Sequence, residues 1–257
     1  HDWSISRVRV KEINLKDSII KLAERVGGPH DFFRINGFEQ DPRFFLENSR
    51  SFLNSPNEYF FDRDQSVVQL VLNADGNPNQ MNMTVPRLET LVRARGSEAE
   101  PVRGVQFSGI CFSYSSCPLP SGGYGGIQAS YFENRLVPAH LRKLNTETES
   151  SHLRLSAAIE LSFAEACGFL KSTFKHLGGG GIYLGRQTNN CFVKSSQIDD
   201  VGGCGVMVGE TVTRKDPKGR SLVCDGNAIE GNQISQCGQV LFGSVGVWVG
   251  IAKRTLV

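Results

Sequence analysis

The chain has 257 residues, enough for one large domain or two ordinary ones. Its 28 Lys plus Arg stand against 26 Asp plus Glu, a net charge of +2 without a basic run, which excludes a nucleic-acid binder held by charge. Hydrophobic residues make up 39 %, which excludes wholesale disorder, and no apolar stretch is long enough to cross a bilayer.

In chain order, Arg7–Val10 and Ile13–Leu15 alternate like strands. Ser18–Val26 carries Ile19, Ile20, Leu22 and Val26, and reads as a short helix ended by Gly27, Gly28 and Pro29. Phe44–Leu53 reads as a short helix or turn. Tyr59–Phe61 and Val67–Leu72 flank Asp62–Ser66 as a hairpin. Ala74–Asn82 is a loop, and Asn82-Met83-Thr84 is a glycosylation sequon, usable only in a secreted protein. Residues 1–87 are expected to be a small, non-repeating, mixed α/β region packed on the repeating remainder of the chain. The chain begins at His1, so any signal peptide is expected to be missing already.

From about Leu88 short apolar strands recur between Gly and Asn turns. Ile159-Glu160-Leu161 matches Ile182-Tyr183-Leu184, Val206-Met207-Val208 and Val247-Trp248-Val249, at offsets of 23, 24 and 41 residues. A polar insertion near Thr211–Asp225 explains the last offset. A second column aligns Phe174-Lys175-His176-Leu177 with Ile198-Asp199-Asp200-Val201 and Ile234-Ser235-Gln236-Cys237, and a third stacks Cys167 on Cys191. This period, with two or three short strands in each repeat, predicts an all-β fold over 88–257: a right-handed, single-stranded parallel β-helix, or solenoid. Ile159/Leu161, Ile182/Leu184, Val206/Val208 and Val247/Val249 are expected to point inward. Glu160, Tyr183, Met207 and Trp248 are expected to share an outward face. The chain stops at Val257 in what reads as the start of another strand, so the solenoid is expected to be truncated at its C-terminal end.

Seven cysteines are too few for a disulfide scaffold, and their odd number leaves at least one thiol without an intrachain partner. None forms a CxxC pair, which argues against structural zinc. The simplest reading of Cys167 and Cys191 is small core residues, with a disulfide between them left open. Gly178–Gly181 lacks the GKS or GKT tail of a phosphate loop. Tyr124, within Gly122–Gly126, reads as a turn with one anchoring ring.

LPSGGYGGIQ (Leu119–Gln128), AAIELSFAEAC (Ala157–Cys167), HLGGGGIYLG (His176–Gly185), DVGGCGVMVGE (Asp200–Glu210) and CGQVLFGSVGVWVG (Cys237–Gly250) resemble secreted right-handed β-helix proteins that include family 141-like glycoside hydrolases. LENSRSFLNSPNEYFFDR (Leu46–Arg63) and VPRLETLV (Val85–Val92) resemble the region that precedes the helix in that group. The resemblance implies a secreted or extracellular protein acting on a plant-type polysaccharide or oligosaccharide. It transfers no catalytic position.

Glycoside cleavage needs two carboxyl groups across the scissile bond. Asp199, Asp200 and Glu210 lie beside the glycine turns and are the candidate catalytic acids, with Asp200 and Glu210 favoured because they bracket one Gly-rich strand. Tyr183 and Trp248 are candidate sugar platforms, and Glu160, His176 and Arg186 candidate substrate contacts. Equally, His176 with Asp200, and Arg186 with Glu210, stand in shared columns where they would simply pair. No cofactor is implied. Calcium at Asp199 and Asp200 is left open, although it takes six to eight oxygens and few carboxylates are grouped there. Three functions compete: a glycoside hydrolase, a non-catalytic glycan-binding or structural β-helix, and a polysaccharide lyase or epimerase, which would need a cationic base near Lys175 or Arg186.

Overall fold

A computed structural model describes residues 5–24, 26, 42–119, 123–124, 132–133, 153–211 and 213–257. Their regular structure is β-strands plus two short 3-10 turns, Arg50–Phe52 and Pro78–Gln80; no α-helix occurs among them. They divide into two units, residues 41–85 and residues 1–40 with 86–257. Gly27–Pro29, Gly122, Gly125 and Gly126, which the sequence marks as turn residues, lie outside the described residues.

In the 41–85 unit, Tyr59–Asp62 pairs antiparallel with Val67–Leu70, the expected hairpin. The Arg50–Phe52 turn is capped by the Ser49 hydroxyl, which accepts from the Ser51 N–H. Glu58 accepts backbone N–H bonds from Asn54 and Ser55, and these hold its carboxyl below the usual range.

In the larger unit the helix expected over Ser18–Val26 does not form. Val10–Asn14 and Ile19–Leu22 pair antiparallel, with Ile13 facing Ile20. Ser18, at φ 55°, supplies the left-handed turn residue. Adjacent β-branched Ile19 and Ile20, with a strand upstream to pair, outweigh a weak helical spacing. The mixed α/β character expected for residues 1–87 is therefore replaced by hairpins among the described residues.

The described residues from 92 to 257 include four parallel sheets, and consecutive strands along the chain fall in the first, second, third and fourth sheet in turn. The first sheet stacks Val92–Arg95, Ala157–Ser162, Gly180–Leu184, Val206–Val208 and Val247–Val249. The second stacks Val102–Arg103, Ala164–Glu165, Thr188–Asn189, Cys224–Asp225 and Ala252–Lys253. The third stacks Gln106–Ser108, Gly168–Leu170, Phe192–Lys194 and Ala228–Glu230, and the fourth Cys111–Ser115, Thr173–Leu177, Gln197–Val201 and Gln233–Ile234. The predicted register holds: Ile159 pairs with Ile182, Ile182 with Val206, Val206 with Val247, Phe174 with Ile198 and Ile198 with Ile234.

The sheets bury an apolar cluster containing Ile159, Leu161, Ile182, Leu184, Val206 and Val208. Phe107 stacks on Phe169 and Phe112 on Phe174, at 5.3 and 5.2 Å between centroids, with edge contacts between the two stacks. Corners are made by left-handed residues in register. Gly104, Ala166, Asn190, Gly226 and Arg254 form one row, and Gly109, Lys171, Ser195 and Gly231 another. Corner N–H groups that sheet bonds miss are met by the next circuit's side chains: Ile110 donates to Ser172 Oγ, Ser172 to Ser196 Oγ, and Ser196 to Asn232 Oδ1. Glycine enters where circuits touch. A Cβ on Gly202 would lie 2.0 Å from the Gly178 carbonyl oxygen.

Candidate functional site

The fourth sheet breaks strand alternation. On Thr173–Leu177, Phe174 and Leu177 point inward while both Lys175 and His176 face solvent. The cause is His176 itself, left-handed at φ 55°, which adds one residue to the outer side as a bulge does. The step recurs in register at Tyr114 (φ 64°), Asp200 (φ 52°) and Gln236 (φ 47°). Each circuit therefore presents two consecutive side chains: Ser113 with Tyr114, Lys175 with His176, Asp199 with Asp200, and Ser235 with Gln236.

These side chains meet across circuits. Asp200 Oδ2 accepts from His176 Nδ1 at 2.7 Å, and both side chains are 42 % exposed. The His176 ring stacks on Tyr114 at 5.1 Å, 21° from parallel. Ser235 Oγ donates to Asp199 Oδ1 at 2.6 Å. The two neighbouring carboxylates thus have different partners.

Glu210 lies at the turn from the first sheet to the second, bridged to Ile251. It accepts from Arg186 Nε at 3.4 Å and from Arg214 Nε at 3.1 Å. All three side chains are largely buried, and Arg186 also sits over the Phe163 ring. Arg214 belongs to an antiparallel hairpin inside the insertion, Arg214–Lys215 with Ser221–Leu222. Within that hairpin, burial raises the Asp216 carboxyl, but hydrogen bonds from Arg220 and Lys218 and the Arg220 charge outweigh it and hold it low.

The first-sheet column keeps its predicted register but not its predicted exposure. Glu160, Tyr183, Met207 and Trp248 share one outer face, yet the first three are buried and Trp248 is half-buried. Tyr183, Met207 and Trp248 join a second apolar cluster with Tyr124, Leu155, Ala157, Cys204 and Leu241. Glu160 also accepts from Arg93 Nε at 3.1 Å. The Tyr183 ring lies over Gly185, where a Cβ would come within 2.4 Å of it.

All seven thiols are free. Cys167 and Cys191 occupy neighbouring circuits and bond to backbone carbonyls. Burial pushes the Cys191 thiol up to about 12 and the Cys237 thiol up to about 11, the latter with a contribution from the nearby Cys204. Among the described residues no three His, Cys, Asp or Glu side chains gather in a metal-binding group.

No protein-family model matches this chain, and no curated protein matches it significantly. A solved structure of a glycoside hydrolase is similar to it. The TM-score is 0.70 at 20 % identity, over 98 % of this chain and 46 % of that one. The likeness shows a shared fold, and this chain spans about half the length of that protein. No helix among the described residues is long and apolar enough to cross a membrane.

Of the residues the sequence singles out, the structure brings His176, Asp199 and Asp200 onto one face, and Arg186 to Glu210. It does not bring Asp200 to Glu210. The Gly-rich stretch between them leaves the fourth sheet and runs the length of a first-sheet strand, so each joins a different cluster. Tyr114 is missed by reasoning from sequence. Its signal is the match of Phe112-Ser113-Tyr114-Ser115 to Phe174-Lys175-His176-Leu177, hidden because the strand precedes a long departure from the repeat.

Proposed function

We propose that this chain is a right-handed parallel β-helix, similar to family 141-like enzymes, and a glycoside hydrolase of an extracellular polysaccharide. The observation that carries the reading is the left-handed Asp200, which sets Asp199 and Asp200 side by side on one solvent-facing surface. The likeness to a glycoside hydrolase adds support at the level of fold. In this reading one carboxyl protonates the leaving oxygen while the other activates water or attacks the anomeric carbon. His176, bonded to Asp200, orients that carboxyl. Glu210 and Arg186 hold the inserted hairpin beside the first sheet.

The second reading is a non-catalytic glycan-binding β-helix. Each candidate acid already has a protein partner: Asp199 has Ser235, Asp200 has His176, Glu160 has Arg93, and Glu210 has two arginines. Mass spectrometry of polysaccharide digests in heavy-oxygen water separates the candidates. Hydrolysis places heavy oxygen in the new chain ends. A lyase gives unsaturated ends without it, and a binding protein leaves the polymer intact. Unlabelled ends or intact polymer across a broad polysaccharide panel would end the hydrolase reading.

A further inference from the structure

Building on the proposed role of the bulged face, we infer that Tyr114 is a saccharide-stacking residue, the aromatic end of a sugar subsite whose polar side is the His176–Asp200 pair. Four left-handed rows run across the strands. Two contain glycine, at Gly104 and Gly226 and at Gly109 and Gly231, and the short Phe163–Gln187 row has none but sets its ring under Arg186. Where only a turn is required, glycine adopts this backbone with the least strain. The fourth-sheet row, Tyr114, His176, Asp200 and Gln236, contains none. Each position there accepts backbone strain and gains a side chain aimed outward, the pattern found at ligand sites.

The first three rungs also touch, ring on ring and then imidazole on carboxylate. Strand spacing of about 4.8 Å is what brings successive rungs within contact. Tyr114 stands on the edge strand of its sheet, so His176 covers one ring face while the residue remains 45 % exposed. An aromatic surface beside a hydrogen-bonding pair matches a sugar ring, whose C–H face packs on the aromatic while its hydroxyl rim meets polar groups.

Affinity electrophoresis tests this with the whole chain, in gels cast with xyloglucan, galactomannan, arabinan or polygalacturonate. The wild-type chain is retarded in at least one gel. Tyr114→Phe keeps the retardation, and Tyr114→Leu and Tyr114→Ala weaken it roughly tenfold with unchanged thermal unfolding. Tyr114→Leu keeps the bulk of the side chain, so its loss of binding reports the aromatic face. Equal retardation of Tyr114→Leu and wild type, or no retardation in any gel, overturns the inference. Heavy-oxygen labelling is read on the same samples. Binding through Tyr114 without label supports the inference and ends the hydrolase reading, whereas label with an unchanged KM in Tyr114→Leu does the reverse.

Discussion

His176 Nδ1 stands 2.7 Å from Asp200 Oδ2, and both residues are left-handed, one circuit apart. The hydrogen bond joins side chains that backbone register has already brought together. His176→Ala should therefore leave the fold intact, since an exposed pair contributes only about 0–1 kcal/mol. In a hydrolase it should lower kcat by about tenfold to a hundredfold with little change in KM. An unchanged kcat would reduce His176 to a surface contact.

Gly202→Ala should destabilise the chain by about 1–3 kcal/mol or more, because the added methyl meets the Gly178 carbonyl oxygen at 2.0 Å. The obstructing atom is backbone, so no side-chain rotation relieves it. Urea unfolding gives the number. Gly219→Ala, in open space on the inserted hairpin but left-handed, should cost about 1 kcal/mol from backbone strain alone.

Glu210→Gln should loosen the inserted hairpin. It leaves two largely buried guanidinium groups facing a neutral amide, and removing one partner of such a cluster costs about 3 kcal/mol. Limited proteolysis should then cut between Arg214 and Leu222 faster than in wild type. Unchanged cleavage would show that Asp216 and Arg220 hold the hairpin by themselves.

Stability should fall on the alkaline side. Cys191 has its thiol raised from 9.0 to about 12, and Cys237 from 9.0 to about 11. The unfolded chain ionises these thiols first, so their contribution is complete below pH 9 and is lost as pH rises toward the folded values. Cys191→Ala should flatten that slope in denaturant titrations. At the acid end the sign reverses. Hydrogen bonds from Arg254 hold the Asp225 carboxyl low, so its contribution is present above 3.8 and is lost as pH falls below it. Asp225→Asn should flatten the acid limb.

The register of 157–257 was legible because triplets with apolar first and third residues recur at 23 and 24 residues, and at 41 across the polar insertion, and stacking those residues is what buries them. From that register the His176–Asp200 and Arg186–Glu210 contacts followed directly. The circuit over Val92–Ser115 was not legible as a repeat, because residues 116–156 separate it from its neighbour. Neither was the doubled outer surface of the fourth sheet. Left-handed Tyr114, His176 and Asp200 carry no glycine to mark them. The cover over Tyr183 and Met207 comes from Tyr124, Leu155 and Leu241, far away in sequence, and no local pattern announces such a contact.

Asp199 and Asp200 can be interrogated by one rate comparison. Release of reducing ends from a cleaved polysaccharide should fall about a hundredfold or more in both Asp199→Asn and Asp200→Asn, while Glu210→Gln retains most of its rate at a temperature where it stays folded. Wild-type rates in the two aspartate variants would contradict the assignment and move the chemistry away from the fourth sheet.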